Sequence, residues 1–370
     1  MKNKKFRYKN IFLYASLQFC GNIEEYFVNN TEKLVVFIVQ PRIKNKDNLL
    51  RVYNKGTLVK EQNITLHENI FLNIFLWYTY HIKFLFTYFS RKDNVVVITS
   101  ALPLLFGMTF QKLFMNVRYV FWTEYFPTIN LTYRLFHKVK NFYHTNIDFG
   151  CYFGDEVNKL MNGKILDTKT KRTILWGVKP KLVKKRFPTG KMTMLFVGLI
   201  KESQGLELVF KYLKKHKNYD LNIIGVCDDK LYAKYKKIFV EYDIAEQVYF
   251  PNKFIFEDKL QEISKECFVG LAPYTTGKIN GTYYIDPGKI KAYAEMGLPI
   301  IMSNTSAIAP YVKKFSCGEI IERNENDLDQ AILKIIGNYK QYLEGLKKFN
   351  KYFYYEDYYA KKFDFLESPK

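Results

Sequence analysis

The sequence is short of the residues that staple small folds and build metal centres. Its 370 residues include five cysteines, Cys20, Cys151, Cys227, Cys267 and Cys317, scattered and odd in number. With no CxxC pair and no Cys/His ligand spacing, neither a disulfide framework nor a zinc site is indicated, and a reducing cytoplasm is the natural compartment. His67, His81, His137, His144 and His216 form no HxxxH or HExxH pattern, so no metal is expected and none of them reads as catalytic. Neither the dinucleotide fingerprint GxGxxG nor a P-loop with Gly-Lys-Ser/Thr occurs. Helix-turn-helix, RNP-type and zinc-finger patterns are also missing, which argues against nucleic acid as a partner. There is no internal repeat. One long apolar run, 69–89, approaches membrane-spanning length, but Asn73, His81 and Lys83 interrupt it. It reads as a buried or interfacial helix. The basic start, Met1 to Tyr8, leads through a short apolar run into Asn22, Glu24 and Glu25, the pattern of a first strand and not of a signal peptide.

Acidic residues are the other shortage. Only 36 Asp and Glu face 57 Lys and Arg, a formal net charge of +21. Such a chain is attracted to something anionic. Much of the excess lies in 134–191, around Lys169, Lys171 and Arg172 and around Lys181, Lys184, Lys185 and Arg186. That stretch reads either as a solvated basic face or as one resting on anionic lipid. Hydrophobic residues make up 48% and charged residues 25% of the chain, a globular balance. With 30 Tyr and 32 Phe, the surface must carry rings as well.

The length suggests two domains, and strands alternate with helical patterns throughout. Short apolar runs at 11–15, 34–38, 95–99, 119–122, 148–152 and 173–175 read as strands covered on both faces. Helical patterns lie between them at 102–115 and 131–144. A lysine-rich stretch, 178–191, with Pro180 and Pro188, marks the boundary. A second series follows, with strands at 194–197, 220–224, 247–250, 269–272, 299–302 and 318–321. Helices are expected there at 206–216, 229–242, 258–266, 288–296 and 326–347. Two consecutive series imply an α/β chain of two doubly wound, Rossmann-like domains facing a cleft, with ligands at the carboxyl ends of the strands.

Residues 284–303 are the most informative. Asp286 suits a helix N-cap, Pro287 the first helical position, and Gly297 the left-handed residue past the end, with Pro299 preventing resumption. A helix start exposes N–H groups and a positive dipole end, and Lys289 adds a full charge, which suits a phosphate. An ordinary capped helix is the plainer alternative. Upstream, the first strand of this half runs into Gly198 and, seven residues on, Gly205. The strand 269–272 ends in Pro273 and Tyr274. The turn Pro251-Asn252-Lys253 reads either as a plain turn or as a frame for a base or ribose.

In this order, Gly198 and Gly205, Ala272-Pro273-Tyr274, Pro287-Gly288-Lys289 and Gly297-Leu298-Pro299-Ile300-Ile301 resemble the C-terminal domain of GT-B glycosyltransferases. The likeness is closest to the family 4-like group and covers roughly 190–325. Thr123-Glu124-Tyr125-Phe126-Pro127 and Ile174-Leu175-Trp176-Gly177-Val178 sit where that family has strand ends in its first domain. The resemblance implies an N-terminal acceptor-side domain over 1–185 and a nucleotide-sugar-binding domain over 186–350. The remaining segment, 351–370, would be a terminal helix crossing back to the first domain. It implies a sugar transferred from a nucleotide-sugar, UDP- or GDP-linked, to a lipid-linked or surface-glycan acceptor, with no cofactor and no metal. The setting expected is cytoplasmic, peripheral at the inner face of the cell membrane. Donor-binding residues would be Gly198, Lys201, Pro273, Tyr274, Asp286, Gly288 and Lys289. Asp286 is either the N-cap or an acceptor of hydrogen bonds from donor sugar or ribose hydroxyls. On the acceptor side, Glu124 reads either as the group that orients or deprotonates the acceptor hydroxyl or as a turn residue paired with Arg134 or Lys138. Gly21 and Ser100 lie in neighbouring strand-end loops. Three departures stand out. The family's Arg after the first glycine is here Leu199, its Lys before the second is Gln204, and its two glutamates eight positions apart fall at Tyr284 and Ala292. That loss keeps a second reading open, a non-catalytic binding protein of the same fold.

Overall fold

The computed structural model describes residues 6–15, 22–38, 48–64, 70–88, 94–99, 117–123, 134, 138, 147–180, 187, 190–253, 255, 257–275, 283–284, 286–305 and 307–367. The chain divides into two compact units, Met1–Gly177 with Tyr355–Lys370, and Val178–Tyr354.

In the first unit, the strands β1 (Tyr8–Ala15), β2 (Thr31–Ile38), β3 (Asn48–Asn54), β4 (Thr57–Ile64), β5 (Asn94–Thr99), β6 (Val117–Thr123), β7 (Phe149–Tyr152) and β8 (Lys171–Thr173) form one sheet. Its order is β4-β3-β2-β1-β5-β6-β7-β8. The inner strands are parallel and buried on both faces, as their unbroken apolar runs require: Ile11, Phe12, Leu13 and Tyr14 are all fully covered. β3 and β4 depart from the expected alternation. They form an antiparallel hairpin whose two-residue turn, Lys55-Gly56, has φ of 50° and 83°, as a type I′ turn demands. The turn extends the sheet without a crossover helix. The expected helices at 102–115 and 131–144 fall outside the described residues, apart from positions 134 and 138. The closing helix, Tyr355–Lys362, belongs to this first unit. Tyr359 packs on Tyr26 and Phe363 on Phe27 of the helix Ile23–Asn30, at ring-centroid distances of 5.4 and 5.5 Å. The hydroxyls of Tyr358 and Tyr359 accept from the backbone N–H groups of Leu175 and Gly177, so the aromatic character of the last segment serves a docking role.

The second unit holds β9 (Met192–Val197), β10 (Tyr219–Ile224), β11 (Val248–Tyr249), β12 (Cys267–Ala272), β13 (Ile300–Ser303) and β14 (Gly318–Ile321). All pairs are parallel, in the order β11-β10-β9-β12-β13-β14. Numbered from the first strand, this is 3-2-1-4-5-6, the doubly wound order in which chain direction across the sheet reverses between β9 and β12. Phe196, Leu221, Val269, Leu271 and Ile301 fill the core on one face. The single helix expected over 326–347 is in fact two, Glu325–Gly337 and Tyr339–Tyr352, broken at Asn338. Asn324 caps the first of them by accepting from Asp327 N at 2.8 Å.

Candidate active site

Doubly wound sheets bind ligands where the strand order reverses, outside the carboxyl ends of the two flanking strands. Here those ends carry Gly198, after β9, and Pro273-Tyr274, after β12. Gly198 has φ 120° and Gly205 φ 73°, left-handed values that glycine adopts without penalty. A Cβ on Gly205 would lie 1.8 Å from the Pro273 carbonyl oxygen, so the loop after β9 touches the loop after β12 backbone to backbone. Thr275 completes the seam, donating from its N–H and its hydroxyl to Ser203 O at 2.9 and 3.1 Å. The two loops flanking the switch point are thereby zipped together.

The helix Gly288–Glu295 is fixed beside them by Tyr293. The Tyr293 hydroxyl accepts from Val197 N at 3.0 Å and donates to Leu271 O at 2.8 Å, bridging β9 and β12 just short of their carboxyl ends. Its ring occupies the space where a side chain at Gly270 would stand. This clamp aims the first turn of the helix. Pro287, extended at ψ 123°, occupies the N-cap position, and no side chain among the described residues caps the helix; its first N–H groups have no intrahelical acceptor by construction.

Lys289, on that first turn, is the centre of the site. Its Cε and Nζ lie 3.5 and 3.7 Å from where a Cβ on Gly198 would stand, ordinary contact distance, so the end of the lysine packs against the strand-end glycine. Nζ stands 3.7 Å from the ring centre of Phe196 and 5.2 Å from that of Tyr274, and it donates to Gln204 Oε1 at 2.7 Å. Burial holds its ammonium well below the ordinary lysine range. The Tyr274 hydroxyl is enclosed with no hydrogen-bond partner among the described residues, and burial, with Tyr293 and Asp286 adding to it, pushes it well above the ordinary tyrosine value. A cation with no ion pair among the described residues is a costly arrangement in an apolar setting, and an anion brought to the strand-end glycine would offset that cost.

No family model and no curated protein sequence matches the chain. Solved structures do. A sucrose-phosphate synthase from Thermosynechococcus elongatus aligns over 96% of this chain and 98% of its own, with a TM-score of 0.72 at 13% identity. A trehalose-6-phosphate protein from E. coli, bound with UDP-2-fluoro glucose, covers 98% and 100% of the two chains with a TM-score of 0.68 and 14% identity. A lipopolysaccharide outer core galactosyltransferase, WaaB, covers 97% and 98% with a TM-score of 0.64 and 16% identity. This chain has the GT-B fold.

Within that GT-B fold the structure brings Gly198, Pro273, Tyr274, Gly288 and Lys289 together around the switch point of the second sheet. Lys201 is exposed on the same loop. Asp286 is not the N-cap expected of it. With no exposed side-chain area, it lies 3.5 Å from the buried Lys291 Nζ. Pro287 takes the N-cap position because its extended ψ turns the chain into the helix one residue later than anticipated. Glu295 accepts from Lys179 N at 2.8 Å and so anchors the start of the second unit. Asn252, in the turn after β11, accepts from Cys227 N at 2.9 Å. Glu124, Gly21 and Ser100 lie outside the described residues. Sequence reasoning passed over Phe196, Tyr293 and the contact made by Gln204. Only Gln204 carried a signal, its place directly before Gly205, the glycine that leads into the helix Leu206–Lys215.

Proposed function

We propose that this chain is a glycosyltransferase that moves a sugar from a nucleotide-sugar, UDP- or GDP-linked, to a lipid-linked or surface-glycan acceptor. The observation that carries the reading is Lys289, a cation with no ion pair among the described residues, at the switch point, against a strand-end glycine and on the first turn of a helix whose N-cap is Pro287. Breaking a sugar–diphosphate bond builds negative charge on the leaving group. Lys289 and the helix N–H groups at Gly288 and Lys289 are placed to stabilise it without a metal ion, and the backbone at Gly198 allows close approach. On the acceptor side Glu124, which directly follows β6 in the sequence, is assigned the role of orienting or deprotonating the acceptor hydroxyl, with Gly21 and Ser100 as further acceptor-side candidates. The likeness to a structure bound with UDP-2-fluoro glucose supports a uridine donor.

The test is a thermal-shift screen against UDP, GDP, CMP, ADP and their sugars, followed by assay of donor hydrolysis. Ligand at about a hundred times its Kd adds roughly 2.7 kcal/mol to the folded state, a rise of several degrees for the second unit. A flat response across the whole panel would sink the proposal. A second reading, a nucleotide or glycan-binding protein without catalysis, draws on Tyr284 and Ala292 standing where the resemblance expects two carboxylates. Binding with no turnover of any donor would select it.

We place the protein at an anionic membrane surface. No helix among the described residues is long and apolar enough to cross a membrane. The helix Ile70–Tyr88 nonetheless exposes Leu72, Phe75 and Phe86, at 43%, 62% and 70%. At about 100° per residue these three, with exposed Thr79 and Lys83, fall within roughly 80° of one another along about 21 Å of helix. Tyr80 and Tyr88 pack the helix against its own sheet. An exposed apolar stripe on a strongly basic chain suits an interface of anionic lipid. Flotation with phosphatidylglycerol vesicles at low salt should carry the protein upward. A Phe75→Asp, Phe86→Asp double variant should remain at the bottom. Failure of the unmodified protein to float would remove this assignment.

A further inference from the structure

The hydrogen bond between Lys289 and Gln204 has a consequence for how a donor is captured. Lys289 Nζ has three protons to donate. Among the described residues its polar contact is Gln204 Oε1 at 2.7 Å, and it makes no ion pair. Its remaining surroundings are the Phe196 and Tyr274 rings. The backbone of Gln204 is itself preset. It closes a tight turn, Glu202–Gln204, donating from its N–H to Lys201 O at 2.9 Å. The following Gly205 is pinned against Pro273 O. The amide carbonyl is therefore delivered to Lys289 by a rigid loop.

We propose that Gln204 is a positioning residue for the transfer reaction, its side-chain carbonyl holding the Lys289 ammonium at the carboxyl end of β9, where the donor's diphosphate arrives. This rests on the donor-site reading above. The choice of a neutral amide follows from electrostatics. A carboxylate at 204 would satisfy the lysine but repel the diphosphate, and an amine would displace the lysine by like charge. An amide orients the ammonium and leaves its whole charge for the incoming anion.

The charged groups around the pair leave that charge uncancelled. Arg323 approaches Gly205. Lys201 and Glu202 are exposed on the Gln204 turn, and Glu202 is paired with Lys234 at 2.5 Å. Asp286 faces Lys291. Burial alone opposes the lysine's charge, and a bound diphosphate favours the charged form, so the donor binds best to the protonated lysine. Donor affinity is then greatest at low pH and falls as pH rises. Loss of the Gln204 acceptor moves that fall to lower pH.

The experiment measures UDP-glucose and GDP-mannose binding by calorimetry from about pH 6 to 9, where neither diphosphate titrates, for the unmodified protein, Gln204→Met and Gln204→Glu. In parallel, the Lys289 Cε resonance is titrated by NMR in each protein without ligand. Gln204→Met is expected to bind about tenfold more weakly at neutral pH, the cost of one hydrogen bond to a charged group. Its affinity should begin to fall at lower pH, and Lys289 should titrate earlier. Gln204→Glu should bind weakly too, yet keep Lys289 protonated to higher pH, a separation that a merely structural role for Gln204 would not produce. If the unmodified protein binds either donor while Gln204→Met matches it in affinity, pH profile and Lys289 titration, the positioning role falls and the donor site stands. If the unmodified protein binds neither, both fall.

Discussion

Replacing Asp286 by alanine is expected to lower the unfolding free energy by about 3–5 kcal/mol at neutral pH, because it strands a buried charge. The carboxylate has no exposed side-chain surface, and its Oδ2 lies 3.5 Å from Lys291 Nζ, itself nearly enclosed at 3%. Nζ also stands 3.4 Å from the ring centre of Phe353 and 5.2 Å from that of Phe349. Rings offset part of the lost hydration of an ammonium, not all of it. Burial already draws Lys291 down to about 8, against the opposing pull of Asp286. Without the aspartate the lysine sheds its proton at still lower pH when folded, while in the unfolded chain it keeps its ordinary value. Wherever the unfolded state binds the extra proton, stability rises with pH. The deficit of Asp286→Ala should therefore be largest near pH 6 and shrink toward pH 9 in chemical denaturation. A double variant, Asp286→Ala with Lys291→Met, should recover most of the loss at every pH. Were Asp286 instead an acceptor for donor hydroxyls, the single variant would weaken nucleotide-sugar binding with little change in stability. The folded fraction of Asp286→Ala is expected to bind donor as the unmodified protein does.

That residue also marks where the sequence stops being informative. An aspartate before a proline at a helix start looks the same whether it caps the helix or turns inward to a lysine five residues on. The difference lies in the packing of the helices Gly288–Glu295 and Tyr339–Tyr352, which supplies Phe349 and Phe353 from more than fifty positions away. Gly198, Pro273, Tyr274 and Lys289 were legible for the opposite reason. Strand ends are set by short apolar runs, and the doubly wound order then fixes which ends adjoin. Tyr293 was not, because a tyrosine in an apolar helix stripe gives no sign that its hydroxyl joins two strands. The hairpin β3–β4 was missed although Lys55-Gly56 separates its strands. β4 is exposed along almost its whole length, so it lacks the apolar run by which the other strands were recognised.

Lys289→Met is expected to act in opposite directions on activity and on stability. Removing one preorganised donor from a developing anion costs about 10²- to 10³-fold in kcat, and the loss of a full charge should weaken UDP-sugar binding as well. Yet the same substitution takes an ammonium with no ion pair among the described residues from between the Phe196 and Tyr274 rings, leaving only the Gln204 carbonyl without its donor, and a methionine fills similar volume with no charge to desolvate. Apolar replacement of buried charge is often neutral or stabilising by about 1–4 kcal/mol. The sign with pH follows from the depressed lysine value. In the unmodified protein, stability climbs as pH rises from the folded lysine's titration toward that of the unfolded chain. The methionine variant lacks this climb, so its advantage in thermal unfolding should be widest at low pH and vanish at high pH. A lysine kept for structure would give the reverse pattern, a less stable variant with donor affinity intact. A lysine kept for an anion is one the fold holds at a cost, and only the ligand's arrival makes that placement favourable.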